Sequence, residues 1–117
     1  MKIIKIKHFD KWAIKNRAKD ESLNIAAKEI AIEIYKANYG GGVIKKRVTN
    51  KGSGKNGSTR TIVAFKKGKH CFFVFGFKKN AKSNISSNEE KVFKIVAKFL
   101  LAYSDLEIDK LIEEVVH

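Results

Sequence analysis

The chain has 117 residues, with 25 lysines and arginines against 12 acids and a formal net charge of +13. That length suits one hydrophobic core of helices on a small sheet, a single domain spanning 1–117, and is too short for two. The lone cysteine, Cys71, excludes an intrachain disulfide and a Cys-based zinc site; no apolar run approaches the roughly 18 residues of a membrane span, and MKIIKIKHFDKW is too charged for a signal-peptide core, so the expectation is a cytoplasmic protein with no membrane partner.

Lys2 to Lys7 alternates loosely at period two, which predicts a strand, placed at a sheet edge and protected there by its lysines. Phe9, Trp12 and Ala13 fall at helical spacing in residues 8–15 and predict a short helix. Asp20 is placed to cap a second helix running to about Ala37, with Leu23, Ala26, Ala27, Ile30, Ala31 and Ile34 as its apolar stripe. Gly40, Gly41 and Gly42 are expected to end it.

Residues 43–82 then carry three β-type runs joined by Gly-, Lys- and Ser-rich turns. In the first, period two puts Val43, Lys45 and Arg47 on one face and Ile44, Lys46 and Val48 on the other. If Ile44 and Val48 face the helices, Lys45 and Arg47 point together to the open face. The loop at 49–58 contains GSGKNGS but is no phosphate-binding P-loop, because Thr49 stands where its first glycine is needed and Asn56 follows Lys55. Thr59 to Lys66 alternates Arg60, Ile62 and Ala64 against Thr61, Val63 and Phe65. In the third run, CFFVFGF is apolar on both faces and predicts a central strand covered above and below. Ser87 with Glu90, and Ser104 with Glu107, have the spacing of capping boxes. The first predicts a helix on Val92, Phe93, Ile95, Val96, Phe99 and Leu100, the second a last helix with Leu106, Leu111, Ile112 and Val115.

The charge is unevenly spread. No Asp or Glu occurs from Ile34 to Asn88, while thirteen lysines and arginines do. Such a field on a sheet attracts polyanions, so nucleic acid or an acidic protein is the expected ligand, bound with a steep dependence on salt. His8, His70 and His117 match no metal-ligand spacing, and His70 beside Cys71 has no neighbouring acid in sequence to orient its ring.

Three blocks carry a resemblance: GGGVIKKRV at 40–48, GSGKNGSTRT at 52–61 and FVFGFKKNAKSNI at 73–85. In this order and spacing, over about residues 1–115, they resemble the RelE/ParE family of type II toxins, and within it the HigB-like, phage-derived branch. The resemblance implies an α+β fold: a twisted, mainly antiparallel sheet of about four strands, two N-terminal helices on one face, and C-terminal helices. It also implies a toxin that cuts messenger RNA, usually on the ribosome, and is held inactive by a co-expressed antitoxin with a helix-turn-helix domain. Arg60 falls on the family's arginine in its Gly-Tyr-Arg turn, Lys45 and Arg47 on two alternating basic positions of the preceding strand, and Lys82 on a basic position after the last strand. The sequence departs from the family at two tyrosines: Thr59 precedes the arginine, and Ile85 and Ser86 stand after the last strand.

Cleavage by internal attack requires removal of the ribose 2′-OH proton, stabilisation of the phosphorane and protonation of the 5′-oxygen; clustered lysine and arginine supply all three with no cofactor and no metal. Arg60 can hold two phosphoryl oxygens with its planar fork. Lys45, crowded by like charges, has its ammonium form disfavoured and suits a base. Lys82 is assigned protonation of the leaving oxygen, Arg47, Lys55 and Lys79 bind neighbouring phosphates, and Phe77, at a strand end among lysines, is placed to stack on a base. The alternatives are a gyrase poison of the same fold, and a nucleic-acid-binding module with no catalysis.

Overall fold

The computed structural model describes residues 1–49, 58–78 and 84–115. In chain order they form β1 (Ile3–Lys5), α1 (Lys7–Lys15), α2 (Asp20–Ala31), β2 (Ala37–Gly40), β3 (Val43–Thr49), β4 (Ser58–Phe65), β5 (Cys71–Phe77), α3 (Ser87–Leu101) and α4 (Asp105–Val115). One sheet takes all five strands in the order β1-β5-β4-β3-β2. Four of them are antiparallel neighbours, and β1 joins parallel to β5. The fold is therefore α+β as expected, with one strand more than the sequence patterns predict.

The extra strand is β2. The second helix does not reach Ala37: it stops at Ala31, with Ile32 as its cap and Glu33 in the left-handed conformation at φ 64°. The N–H of Glu33 donates to the carbonyl of Ile30 and that of Ile34 to the carbonyl of Glu29, each at 2.9 Å. Helices are commonly closed this way by glycine; a residue with a Cβ costs roughly 1 kcal/mol more there. The chain then turns into Ala37–Gly40, which pairs with β3 through a bulge at Tyr39. The three glycines belong to this hairpin and not to a helix end. Gly40, Gly41 and Gly42 have φ of 85°, 61° and 83°, a run only glycine adopts without strain.

Of the three predicted caps one is absent, one shifted and one formed as expected. Asp20 does not cap α2 with its side chain; it lies in the first turn, and its carboxylate accepts from Lys5 Nζ at 2.7 Å. The box at the start of α3 is Ser86 with Glu89, one residue earlier than expected, and both of its reciprocal bonds form. Ser104 and Glu107 make the second box as predicted.

Two apolar layers sandwich the sheet. Phe9 and Ala13 of α1 and Leu23, Ala26, Ala27 and Ile30 of α2 pack on Ile44, Val48, Val63, Cys71 and Phe73. On the opposite face Ala97 and Leu100 of α3 and Ile108 of α4 pack on Val43, Ile62, Ala64, Phe72 and Val74. β5 is thus covered on both faces, as its continuous apolar run requires. Gly76 on it leaves room for the Trp12 ring, since a Cβ there would lie 2.4 Å from that ring. The expected apolar contacts of Leu111, Ile112 and Val115 lie outside the described residues, as does the loop at 50–57. Among the described residues no helix is long and apolar enough to cross a membrane.

Candidate functional site

Period two in β3 separates three consecutive cations. Ile44, Lys46 and Val48 turn towards α2, and there Lys46 is buried, its Nζ 2.9 Å from the carbonyl of Ile34 and 3.1 Å from Glu29. That ammonium answers the end of α2, where helix carbonyls and the dipole favour a cation. Lys45 and Arg47 point the other way, into the face that α3 only partly covers.

Sheet register builds the site from there. Arg47 stands opposite Arg60, and Arg60 opposite Phe77, forming one row across β3, β4 and β5. The next row is Lys45, Ile62 and Phe75. Directly opposed residues on neighbouring antiparallel strands have Cα atoms about 4.5–5.5 Å apart, so Lys45, Arg47 and Arg60 crowd one small area. Like charges in facing positions destabilise a sheet. Among the described residues no carboxylate pairs with Lys45 or Arg60 to relieve that repulsion.

The Lys45 amine feels this environment. Partial burial, then the Arg60 guanidinium, then Lys36 push its pKa below the ordinary lysine value. Each acts by disfavouring the ammonium form. Its Nζ is 3.4 Å from Asn84 Oδ1, which also accepts from the Tyr39 hydroxyl at 2.9 Å. The Tyr39 phenol is moved the opposite way, raised by burial and by Glu90.

Aromatic side chains bound the strip on its other side. Phe75 packs on Phe93 at 5.3 Å between centroids and on Phe77 at 6.1 Å, and the exposed His8 ring lies parallel to Phe75 at 6.2 Å. Phe77 itself is only 5 % exposed and belongs to the α3-side core. Its face is therefore not open to a base, which corrects the expectation drawn from its lysine neighbours; Phe75 in the next row is half-buried and His8 exposed. Thr59 also lies off this surface. Two-residue alternation turns it away from Arg60, and it is 2 % exposed, with its hydroxyl unpartnered.

Of the residues singled out from sequence, Lys45, Arg47, Arg60 and Phe77 meet on one face. Lys55, Lys79 and Lys82 lie outside the described residues. Sequence reasoning missed Tyr39, Asn84, Phe75 and His8. Tyr39 was hidden because its segment carries a helical apolar spacing, and Asn84 because its contacts are made only when β2 and the approach to α3 come together.

His70 does find an acid. Its Nε2 is 2.9 Å from Asp105 and its Nδ1 accepts from the Lys2 amide, a bond that leaves Nδ1 without a proton. With Lys2 bonded to Asp109, these contacts tie α4 to the chain's start. Cys71 beside it is buried and its thiol pushed up to about 12, which leaves it inert as a nucleophile.

Comparison with known proteins agrees with this architecture. The chain matches the family described as RelE toxin of RelE / RelB toxin-antitoxin system over residues 1–116. No curated protein matches it. A match over nearly the whole chain, on an α+β sheet with a basic face, places the protein: it belongs to the RelE toxin family, and is the toxin partner of a cognate antitoxin.

Proposed function

We propose that this toxin is a metal-independent endoribonuclease that cuts messenger RNA on the ribosome in the cytoplasm. The observation that carries the reading is the row of Arg47 opposite Arg60, with Lys45 beside it on the same face. Like charges crowded on one patch of a sheet are costly, and a polyanion bound there relieves that cost. In the reaction the neutral Lys45 amine accepts the 2′-OH proton, and the 2′-oxygen attacks the adjacent phosphorus. Arg60 and Arg47 hold the phosphoryl oxygens as negative charge builds on them. The P–O5′ bond breaks, and Lys82 gives a proton to the departing oxygen, leaving a 2′,3′-cyclic phosphate and a 5′-hydroxyl. Lys55 and Lys79 bind flanking phosphates. The lowered pKa of Lys45 supports its role, since a larger fraction of the amine is neutral near pH 7.

The antitoxin we propose is acidic, with a helix-turn-helix domain. Val92, Ile95 and Phe99 form an exposed apolar stripe on α3, with Lys91 and Lys98 beside it. An amphipathic helix with an acidic rim fits such a surface, whereas a second copy of a chain with charge +13 is repelled from it. Assignment to the HigB-like branch rests on the three sequence blocks.

Transcript mapping in cells expressing the toxin alone tests the function. Discrete cuts in translated messages are expected, and Arg60→Ala should abolish them with the fold intact, a loss of at least about a hundredfold by analogy with removal of one oxyanion donor. Growth arrest with broken DNA and uncut messages would instead identify a gyrase poison.

A further inference from the structure

Asn84 Oδ1 takes three donors: the Ile85 amide and the Tyr39 hydroxyl, each at 2.9 Å, and Lys45 Nζ at 3.4 Å. A carboxamide oxygen has two lone pairs. The first two bonds are well made, and the Lys45 contact is the long, weak one. The Ile85 amide fixes the Asn84 side chain to the entrance of α3, and the Tyr39 ring is held in the α3-side core. Of the three donors the lysine makes the longest contact and is the one a ligand draws away most easily.

We infer that Asn84 and Tyr39 are positioning residues for Lys45: Asn84 holds the amine above the cationic rows, and Tyr39, by occupying a lone pair of Asn84, keeps that hold weak enough to release it to a ligand. The inference rests on the reading of Lys45 as the base of the site. An acceptor on an amine stabilises the ammonium form. Asn84 therefore opposes deprotonation of Lys45, and Tyr39 restrains it from doing so fully. The other charged groups about the amine are Arg60 on β4, Arg47 on β3 and Lys36 before β2; Glu90 on α3 acts on the Tyr39 phenol, and its carboxylate also pairs with Lys94 at 3.2 Å.

The test is a nitrogen-detected titration of the Lys45 side chain in the full-length protein, assigned by its loss in Lys45→Gln, with the pH profile of RNA cutting measured in parallel. Asn84→Asp places a carboxylate beside the amine and should raise its pKa by about one unit or more. The rising limb of the pH profile should move up equally, and cutting at pH 7 should fall about tenfold. Tyr39→Phe keeps the ring packing, frees a lone pair for Lys45, and should shift both readouts in the same direction by less. Asn84→Ala removes the acceptor, so the pKa and the limb should move down while the maximal rate falls. An unchanged Lys45 titration in Asn84→Asp overturns the inference whether or not the wild type cuts RNA. A Tyr39→Phe protein with wild-type titration and profile overturns the part given to Tyr39. The expected shifts in a wild-type protein that cuts no RNA would uphold the positioning of the amine and overturn the ribonuclease reading instead.

Discussion

Lys45 and Lys46 are neighbours of the same residue type, and the two sides of the sheet use them in opposite ways. Lys46 is buried against α2 and spends its charge on a backbone carbonyl and a carboxylate, closing a helix that has no glycine to end it. Lys45 stands on the other face, where Arg60 and Lys36 disfavour its charge and its acceptor is the Asn84 carboxamide at 3.4 Å. One face uses a cation to complete the structure; the other accumulates cations at a cost to the structure. A basic residue count therefore says little about role, and strand parity says a great deal.

Four measurements would break or sharpen that contrast. Phe73→Ala, on the α1/α2 side, removes a fully buried ring and should cost about 3–5 kcal/mol in urea unfolding. Arg60→Ala on the other face should stay within about 0.5 kcal/mol of wild type, or gain slightly as repulsion is relieved; a large loss there would end the division between the faces. Next, Gly76→Ala should cost about 1–3 kcal/mol, because the rigid Trp12 ring must move for the new methyl group. Third, Lys46→Met should lose about 1–2 kcal/mol as the Ile34 carbonyl and Glu29 lose their partner. Lys45→Met should leave the unfolding curve in place and remove RNA cutting. The smallest effect concerns α4. The Asp105 carboxyl is held below its usual range chiefly by its hydrogen bond to His70. A carboxyl with a depressed folded pKa contributes stability above its unfolded value, near 3.8, and loses it as pH falls through the folded one. Thermal melts of Asp105→Asn should accordingly differ slightly from wild type at neutral pH and converge with it at the acid end.

Most of the sheet was legible because alternation is a local signal: Val43, Lys45 and Arg47 fall on one face and Ile44, Lys46 and Val48 on the other, as period two dictates. The end of α2 was not, since Ile32 and Ile34 prolong the apolar spacing while Glu33 breaks the helix with a conformation its residue type does not advertise. That one concealed boundary hid β2, and with it Tyr39. The bond partners of Asn84 and His70 were illegible for another reason. They come from residues 45 and 35 positions away, and no pattern within a window reports them.

The parallel pairing of Ile3, Ile4 and Lys5 with Cys71, Phe72 and Phe73 sets an order of events during synthesis. The opening segment has nowhere to lie until the middle of the chain has been made, and Lys2 waits longer still for Asp109. Closing such long loops is slow compared with forming α1 and α2. β1 therefore cannot take its place in the sheet before β5 exists, and the opening segment is tied to α4 only once both are present.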